Sequence, residues 1–252
     1  MAMLHPDDEN YWLHNTPPNS QIEALFYRKC GSKPSSIALP ADIRGAYHLV
    51  AFCRVALDTT DPTNISDVVL RVSRPCIPGI KTENEVAIIE HLQRHTSIPL
   101  PRIHFWDNTE GNELKHEYIC MERILYPTLN SALDKLSESA LNRVLSQVVD
   151  YFVQIRQVSP SSGRRMLGGL RFDSGAVLTS HPDAPPTNKY IVPGPVVEET
   201  FWQTPDIARY WNDIPDAGLS NVGFEDLNVF GPFAGWADWV LAWLRSTIAT
   251  GD

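Results

Sequence analysis

Four cysteines are all this chain has, and Cys30, Cys53, Cys76 and Cys120 form no C-x-x-C pair and have no histidine at ligand spacing. That pattern offers no metal-ligand set and predicts reduced, mostly buried thiols. Positive charge is also short. The 21 Lys and Arg residues stand against 30 Asp and Glu, a formal net charge of -9, and the pI is near 5.3. No basic stripe appears, which excludes a nucleic-acid partner, because such binders gather Lys and Arg on one face. Long apolar runs are missing as well: none approaches the ~18 residues of a membrane span. Residues 1–10 have neither the basic start nor the apolar centre of a secretory signal. A cytoplasmic protein with no membrane partner is the expectation. A G-x-S-x-G elbow is absent, which removes that hydrolase signature, and no internal repeat or low-complexity tract points to a repeat array.

What remains is an ordinary folded composition. Of 252 residues, 43% are hydrophobic and 20% charged, which supports a sizeable core in one large or two small domains. Near the start, Ile22, Leu25 and Phe26 share a helical face, and the run 31–36 ends that helix. Residues 47–57 and 68–72 are rich in β-branched and aromatic side chains and flank a turn-forming run at 58–64, which predicts two adjacent antiparallel strands. Over 81–95 the period becomes helical, with Val86, Ile89 and Leu92 inward and Glu83, Glu90 and Arg94 toward water. Pro99 and Pro101 stop this helix, since proline removes a donor and disfavours helix in the residue before it. A second hairpin around 108–112 joins strands at 102–106 and 117–121.

From Leu133 the helical pattern returns, and Leu141, Val144, Leu145, Val148, Val149, Phe152 and Ile155 predict a helix with one buried face. The stretch 159–235, rich in Pro, Gly and Asp, predicts little regular structure. Trp236, Trp239, Val240, Trp243 and Leu244 then form the stripe of a final core helix.

The chemistry-bearing pattern is a strand with one long cation, Asp67-Val-Val-Leu-Arg-Val-Ser73, followed by a helix carrying Glu85. A nucleoside triphosphate needs its phosphates held in register, and a cation on a central strand does this when a carboxylate on the packed helix fixes its direction. Residues 118–124, read as an edge strand running into a linker, supply backbone groups for adenine. Glu198, Glu199, Asp206, Asp213 and Asp226 read as solvated acids rather than a carboxylate pair. His48, His104 and His116 lie near strands without metal-ligand spacing and read as satisfied or exposed.

These blocks resemble the aminoglycoside phosphotransferase-like (APH) family, in particular its fungal branch. The resembling residues are Val69-Leu-Arg-Val72, Thr82-Glu-Asn-Glu-Val-Ala87, Thr96-Ser-Ile-Pro-Leu-Pro-Arg102, Tyr118-Ile-Cys-Met-Glu-Arg-Ile124, Pro193-Gly-Pro-Val196 with Phe201-Trp202, and Leu227-Asn-Val-Phe-Gly-Pro-Phe233. The resemblance runs from near Ala41 almost to the last residue. It implies an α+β, protein-kinase-like fold with an antiparallel-sheet small lobe over 41–124. An N-terminal extension with a short helix (1–40) precedes it, and a partial helical large lobe with a long irregular insertion (125–252) follows. It also implies ATP and Mg as ligands and a small hydroxylated molecule as acceptor.

Carried over by this resemblance, Arg71 is the phosphate-positioning cation, Glu85 its helix partner, and Arg44-Gly-Ala-Tyr-His48, with its single Gly45, the loop over the phosphates. Met121, Glu122 and Arg123 become the hinge beside adenine. Three departures follow from the residues. Arg71 presents a planar fork where a lysine presents a point charge, Ala46 stands where a hydroxyl is common, and residues 125–129 lack the family's glycine.

In the family, the catalytic aspartate and the metal-binding asparagine and aspartate come after a helix like the one at 236–248. No catalytic or metal residue is therefore assigned, and the chain is expected to be truncated before the catalytic loop and inactive alone. His181-Pro-Asp-Ala-Pro-Pro-Thr-Asn188 matches H-x-D-x-x-x-x-N letter for letter. Its intervening residues lack apolar anchors, and it precedes Pro193-Gly-Pro195, so it reads as a chance match. Three alternatives stay open: an active kinase using that match, a fragment of a longer kinase, or a noncatalytic binding or scaffold protein beside a specialised-metabolite pathway. The last implies a protein partner covering the incomplete large lobe.

Overall fold

Alternating apolar and polar residues along three chain segments build the centre of the molecule. A computed structural model describes residues 11–40, 47–58, 60, 61, 63–75, 77, 79–158, 167–173, 190–197 and 231–250, with side chains as far as Trp243. Gly45, Cys76, the match at 181–188, Phe201-Trp202 and the acids Glu198, Glu199, Asp206, Asp213 and Asp226 lie outside the described residues. The strands β1 (Ser36–Ala38), β2 (His48–Ala56), β3 (Ile65–Ser73), β4 (Ile103–Asp107) and β5 (Tyr118–Glu122) form one sheet. Their order is β1-β2-β3-β5-β4, with every neighbouring pair antiparallel. The fold is thus mixed α+β, with a five-stranded antiparallel sheet.

Successive side chains on a strand point to opposite faces. Leu49, Ala51, Cys53, Val55, Val68, Leu70, Val72, Tyr118 and Cys120 therefore share one face and one apolar core. His48, Val50, Phe52, Val69, Arg71, Ile119 and Met121 take the other face. The first face is covered by α1 (Tyr11–Asn15) and α2 (Asn19–Cys30). Ile22, Leu25 and Phe26 of α2 are fully buried there, and burial of each contributes about 1.5–3 kcal/mol. Gly31 ends α2 at φ 68°, its N–H donating to the Tyr27 carbonyl at 2.9 Å. Glycine makes that left-handed turn without a side-chain clash. The residues read as an N-terminal extension thus belong to the core of the sheet, and β1 adds a strand to it.

The second face carries α3 (Ile80–His95), which buries Thr82, Val86, Ala87 and His91. Against α3 lies a separate antiparallel hairpin of β6 (Gly169–Phe172) and β7 (Ile191–Gly194). Val86, Ala87, Ile119, Met121 and Phe172 form a second apolar cluster at that junction. The chain between β5 and β6 forms α4 (Leu129–Ala132), a short 3-10 turn at Leu133–Lys135, and α5 (Glu138–Gln157). Ser137 caps α5 by accepting the Ala140 N–H at 3.3 Å. The last element is α6 (Trp236–Thr250).

Three expectations are corrected. The strand at 118–122 is not an edge, because β4 pairs outside it. Glu83 turns toward β6 rather than water, since its carboxylate accepts the Phe172 N–H. The stripe on α5 is present, yet no residue of α5 is buried, and Val149 and Phe152 are 61% and 64% exposed. Periodicity tells which side of a helix is apolar, not whether another surface stands opposite it. Within 159–235, expected to hold little regular structure, the only strands among the described residues are the short paired β6 and β7. On α6, Ala242 is buried with Phe233 while Trp236, stacked on Trp239 at 4.6 Å, is 66% exposed.

Cys30, Cys53 and Cys120 are free and buried. Burial pushes the Cys30 thiol up to about 11 and Cys53 up to about 12, so both are packing groups rather than nucleophiles. Among the described residues no helix is long and apolar enough to cross a membrane.

Candidate functional site

Arg71 stands on the α3 face of β3, directly across from Val50 of β2 and Ile119 of β5. Its Nη1 donates to Oε1 of Glu85, fourteen positions on and in the second turn of α3. Strand and helix are consecutive elements, so the pairing follows once α3 packs on the sheet. The two side chains are 27% and 25% exposed, which leaves the guanidinium reachable while holding its direction. A guanidinium has five N–H donors and the carboxylate engages part of the fork, so donors remain for phosphate oxygens.

His48 completes this cluster; the resemblance puts it at the end of the phosphate loop, but nothing in its spacing places it beside Arg71. Its ring nitrogens each lie 3.4 Å from Arg71 Nη2, and Nε2 is 4.0 Å from the Glu85 carboxylate. Burial, then the positive charges of Lys81 and Arg71, push its pKa down to about 3. His48 is therefore neutral at pH 7, and its unprotonated nitrogen accepts from Arg71 rather than repelling it. Lys81, in the first turn of α3, places its Nζ 4.9 Å from the centre of the Tyr47 ring. The signal available in the sequence was β-alternation, which puts His48 and Val50 on one face; that Val50 stands opposite Arg71 comes from the β2–β3 register.

An apolar strip extends from Arg71 along the same face. Val50, Phe52 and Val69 are half-buried, Met121 is buried, and the Arg123 guanidinium carbon lies 3.9 Å over the Phe52 ring. Beyond it, Arg54 Nε is 3.5 Å from Asp67 Oδ1. Of the residues expected beside adenine, Glu122 donates its N–H to the Arg102 carbonyl at 2.8 Å, and Arg123 donates to the Asp67 carbonyl at 3.2 Å. Those two amides are engaged within the protein, so these residues meet a base through carbonyls and side chains. Gly45 lies outside the described residues; of the turn it belongs to, Tyr47 and His48 are described.

α3 is anchored from outside itself. Its N-cap, Gly79, brings no side chain, and the Glu117 carboxylate accepts the Gly79 N–H and the Thr82 hydroxyl instead. Asn108 Nδ2 donates to the Gly79 carbonyl at 3.0 Å, tying the same turn to the β4–β5 connection. Glu117 is 5% exposed, and its burial raises its pKa despite those hydrogen bonds and the nearby Lys81 charge.

Among the described residues, no group of three or more His, Cys, Asp or Glu side chains is placed to hold a metal ion. The carboxylate nearest Arg71 is already paired with it, so these residues fit anionic phosphates and do not fit a protein-held Mg. A cavity of about 480 Å³, lined by Lys29, Cys30, Leu57, Asp58, Asn64, Ser66 and Arg102, shares no residue with the Arg71 cluster. Comparison with protein-family models, with curated proteins and with solved structures found no match.

Proposed function

We propose that this chain binds ATP as a protein-kinase-like relative of the aminoglycoside phosphotransferase-like family. The observation that carries the proposal is the Arg71–Glu85 pair on a half-buried sheet face, beside an apolar strip of half-buried Val50, Phe52 and Val69. On this reading the base lies along the strip, and the phosphates reach the remaining donors of Arg71. Neutral His48 supports it, because a second cation there would compete for Glu85 while a neutral imidazole only orients the guanidinium. The strand order and the insertion of α3 between β3 and β4 agree with a kinase-like small lobe. Transfer to a small hydroxylated acceptor needs metal ions and a positioned acceptor in addition to the phosphate cation. The function proposed for the described residues is therefore nucleotide binding.

Calorimetric titration with MgATP tests this, with Arg71→Ala alongside. Micromolar binding is expected for the natural chain. Its loss should be at least about 10-fold in the variant, since a charge-assisted hydrogen bond contributes roughly 1.5–3 kcal/mol. No heat at millimolar ATP overturns the reading. A noncatalytic binding or scaffold role is the second reading, favoured by the exposed apolar side of α5.

A further inference from the structure

Three consecutive residues of α3 point to two different places. Glu85 reaches Arg71, whereas Glu83 Oε1 accepts the Phe172 N–H at 2.9 Å and Asn84 Oδ1 accepts the Leu170 N–H at 2.7 Å. Leu170 and Phe172 are two apart on β6, so both N–H groups leave the strand on the same edge, opposite β7. An open strand edge is a row of unpaired donors, and here the side chains of α3 take the place of a further strand. The approach is close. A Cβ on Gly169 would collide with Asn84 Oδ1 and lie 2.5 Å from the Pro195 carbonyl oxygen. Phe172 also stacks on Trp106 of β4, with centroids 5.6 Å apart at 25°, so the hairpin grips the helix and the sheet together.

Residues 83, 84 and 85 are separated by about 100° each around a helix. A rotation of α3 that withdraws Glu85 from Arg71 therefore carries Glu83 and Asn84 off the edge of β6. We infer that Glu83 and Asn84 are positioning residues of the Arg71 site, and that the β6–β7 hairpin is a brace setting the rotation of α3. Its consequence for nucleotide affinity rests on the ATP-binding reading above, but the brace itself does not. A merely structural contact would stabilise the chain without governing the state of Arg71.

The test reads Arg71 directly. In nitrogen-15 spectra of the arginine side chains, with Arg71 assigned by its loss in Arg71→Lys, the Glu85 bond slows guanidinium rotation and separates the Nη signals. Glu83→Ala/Asn84→Ala is expected to merge them into the averaged signal of a free guanidinium. It should also weaken MgATP about 10-fold, the usual scale of coupling between linked sites. Glu83→Gln, which keeps an acceptor for Phe172, is expected to keep them separate. Gly169→Ala pushes β6 away without changing any α3 side chain and is expected to act like the double variant; it decides the matter if that variant does not fold. Unchanged Nη signals in a folded double variant or a folded Gly169→Ala protein overturn the inference. Absence of ATP binding by the natural chain overturns the nucleotide reading instead, and leaves the spectra to decide the brace.

Discussion

Arg71 lies between a carboxylate and an imidazole, and the imidazole is uncharged at neutral pH. His48 has a folded pKa of about 3 against an ordinary 6.5. A depressed value means that its contribution to stability is complete above the unfolded value and is lost as the pH falls from about 6.5 toward 3. In that window the unfolded chain binds a proton that the folded one refuses, and the slope is at most ~1.4 kcal/mol per pH unit. The charged groups facing it are Arg71, Lys81 and Glu85. His48→Gln should flatten this part of the curve, which chemical denaturation at pH 4, 5 and 7 will measure; an unchanged slope refutes the assignment. Of this cluster, Arg71 and Glu85 were legible from the order of a strand and the helix after it. His48 was not, because its approach to Arg71 depends on the register of β2 against β3, which residue types alone leave open.

At the scale of the element, α3 is the part on which the site turns. Its first turn is capped by Glu117, the residue just before β5, not by its own N-cap residue. Burial raises the Glu117 pKa above its ordinary 4.5, so the stability this carboxyl contributes is present below that value and lost as the pH rises through the folded pKa. Glu117→Gln keeps an acceptor for the Gly79 N–H without a buried charge. It should match or exceed the natural chain at pH 7 and lose that advantage at pH 4. Glu117→Ala should cost about 1–3 kcal/mol at both, because it leaves a buried donor unsatisfied. Urea midpoints of the three proteins separate these outcomes. The existence of α2, α3 and the β2–β3 pair was readable from periodicity. The central place of β5 was not, because alternation marks a strand without naming its neighbours.

For the whole molecule, α1 and α2 cover one face of the sheet, α3 and the β6–β7 hairpin cover part of the other, and no described residue of α5 is buried. Val149 and Phe152 of α5 stand out to solvent, and exposed apolar surface of this kind favours association. Val149→Glu/Phe152→Glu should leave the unfolding midpoint nearly unchanged, within about 0.5 kcal/mol per site, while lowering self-association in light scattering. A large loss of stability would mean that the stripe is covered after all. By itself, the sequence determined that α2, α3, α5 and α6 coil, that β2 to β5 extend, where the main apolar stripes lie, and that Arg71 and Glu85 stand on consecutive elements. Those properties follow from spacing within a segment and from the order of two consecutive ones. Only the tertiary structure decided the strand order, the neutral histidine beside Arg71, the cap from Glu117, the clasp of Glu83 and Asn84 on β6, and the open face of α5. Each is a contact, or the lack of one, between segments far apart in the chain, where burial and register set the outcome and local periodicity carries no information about either.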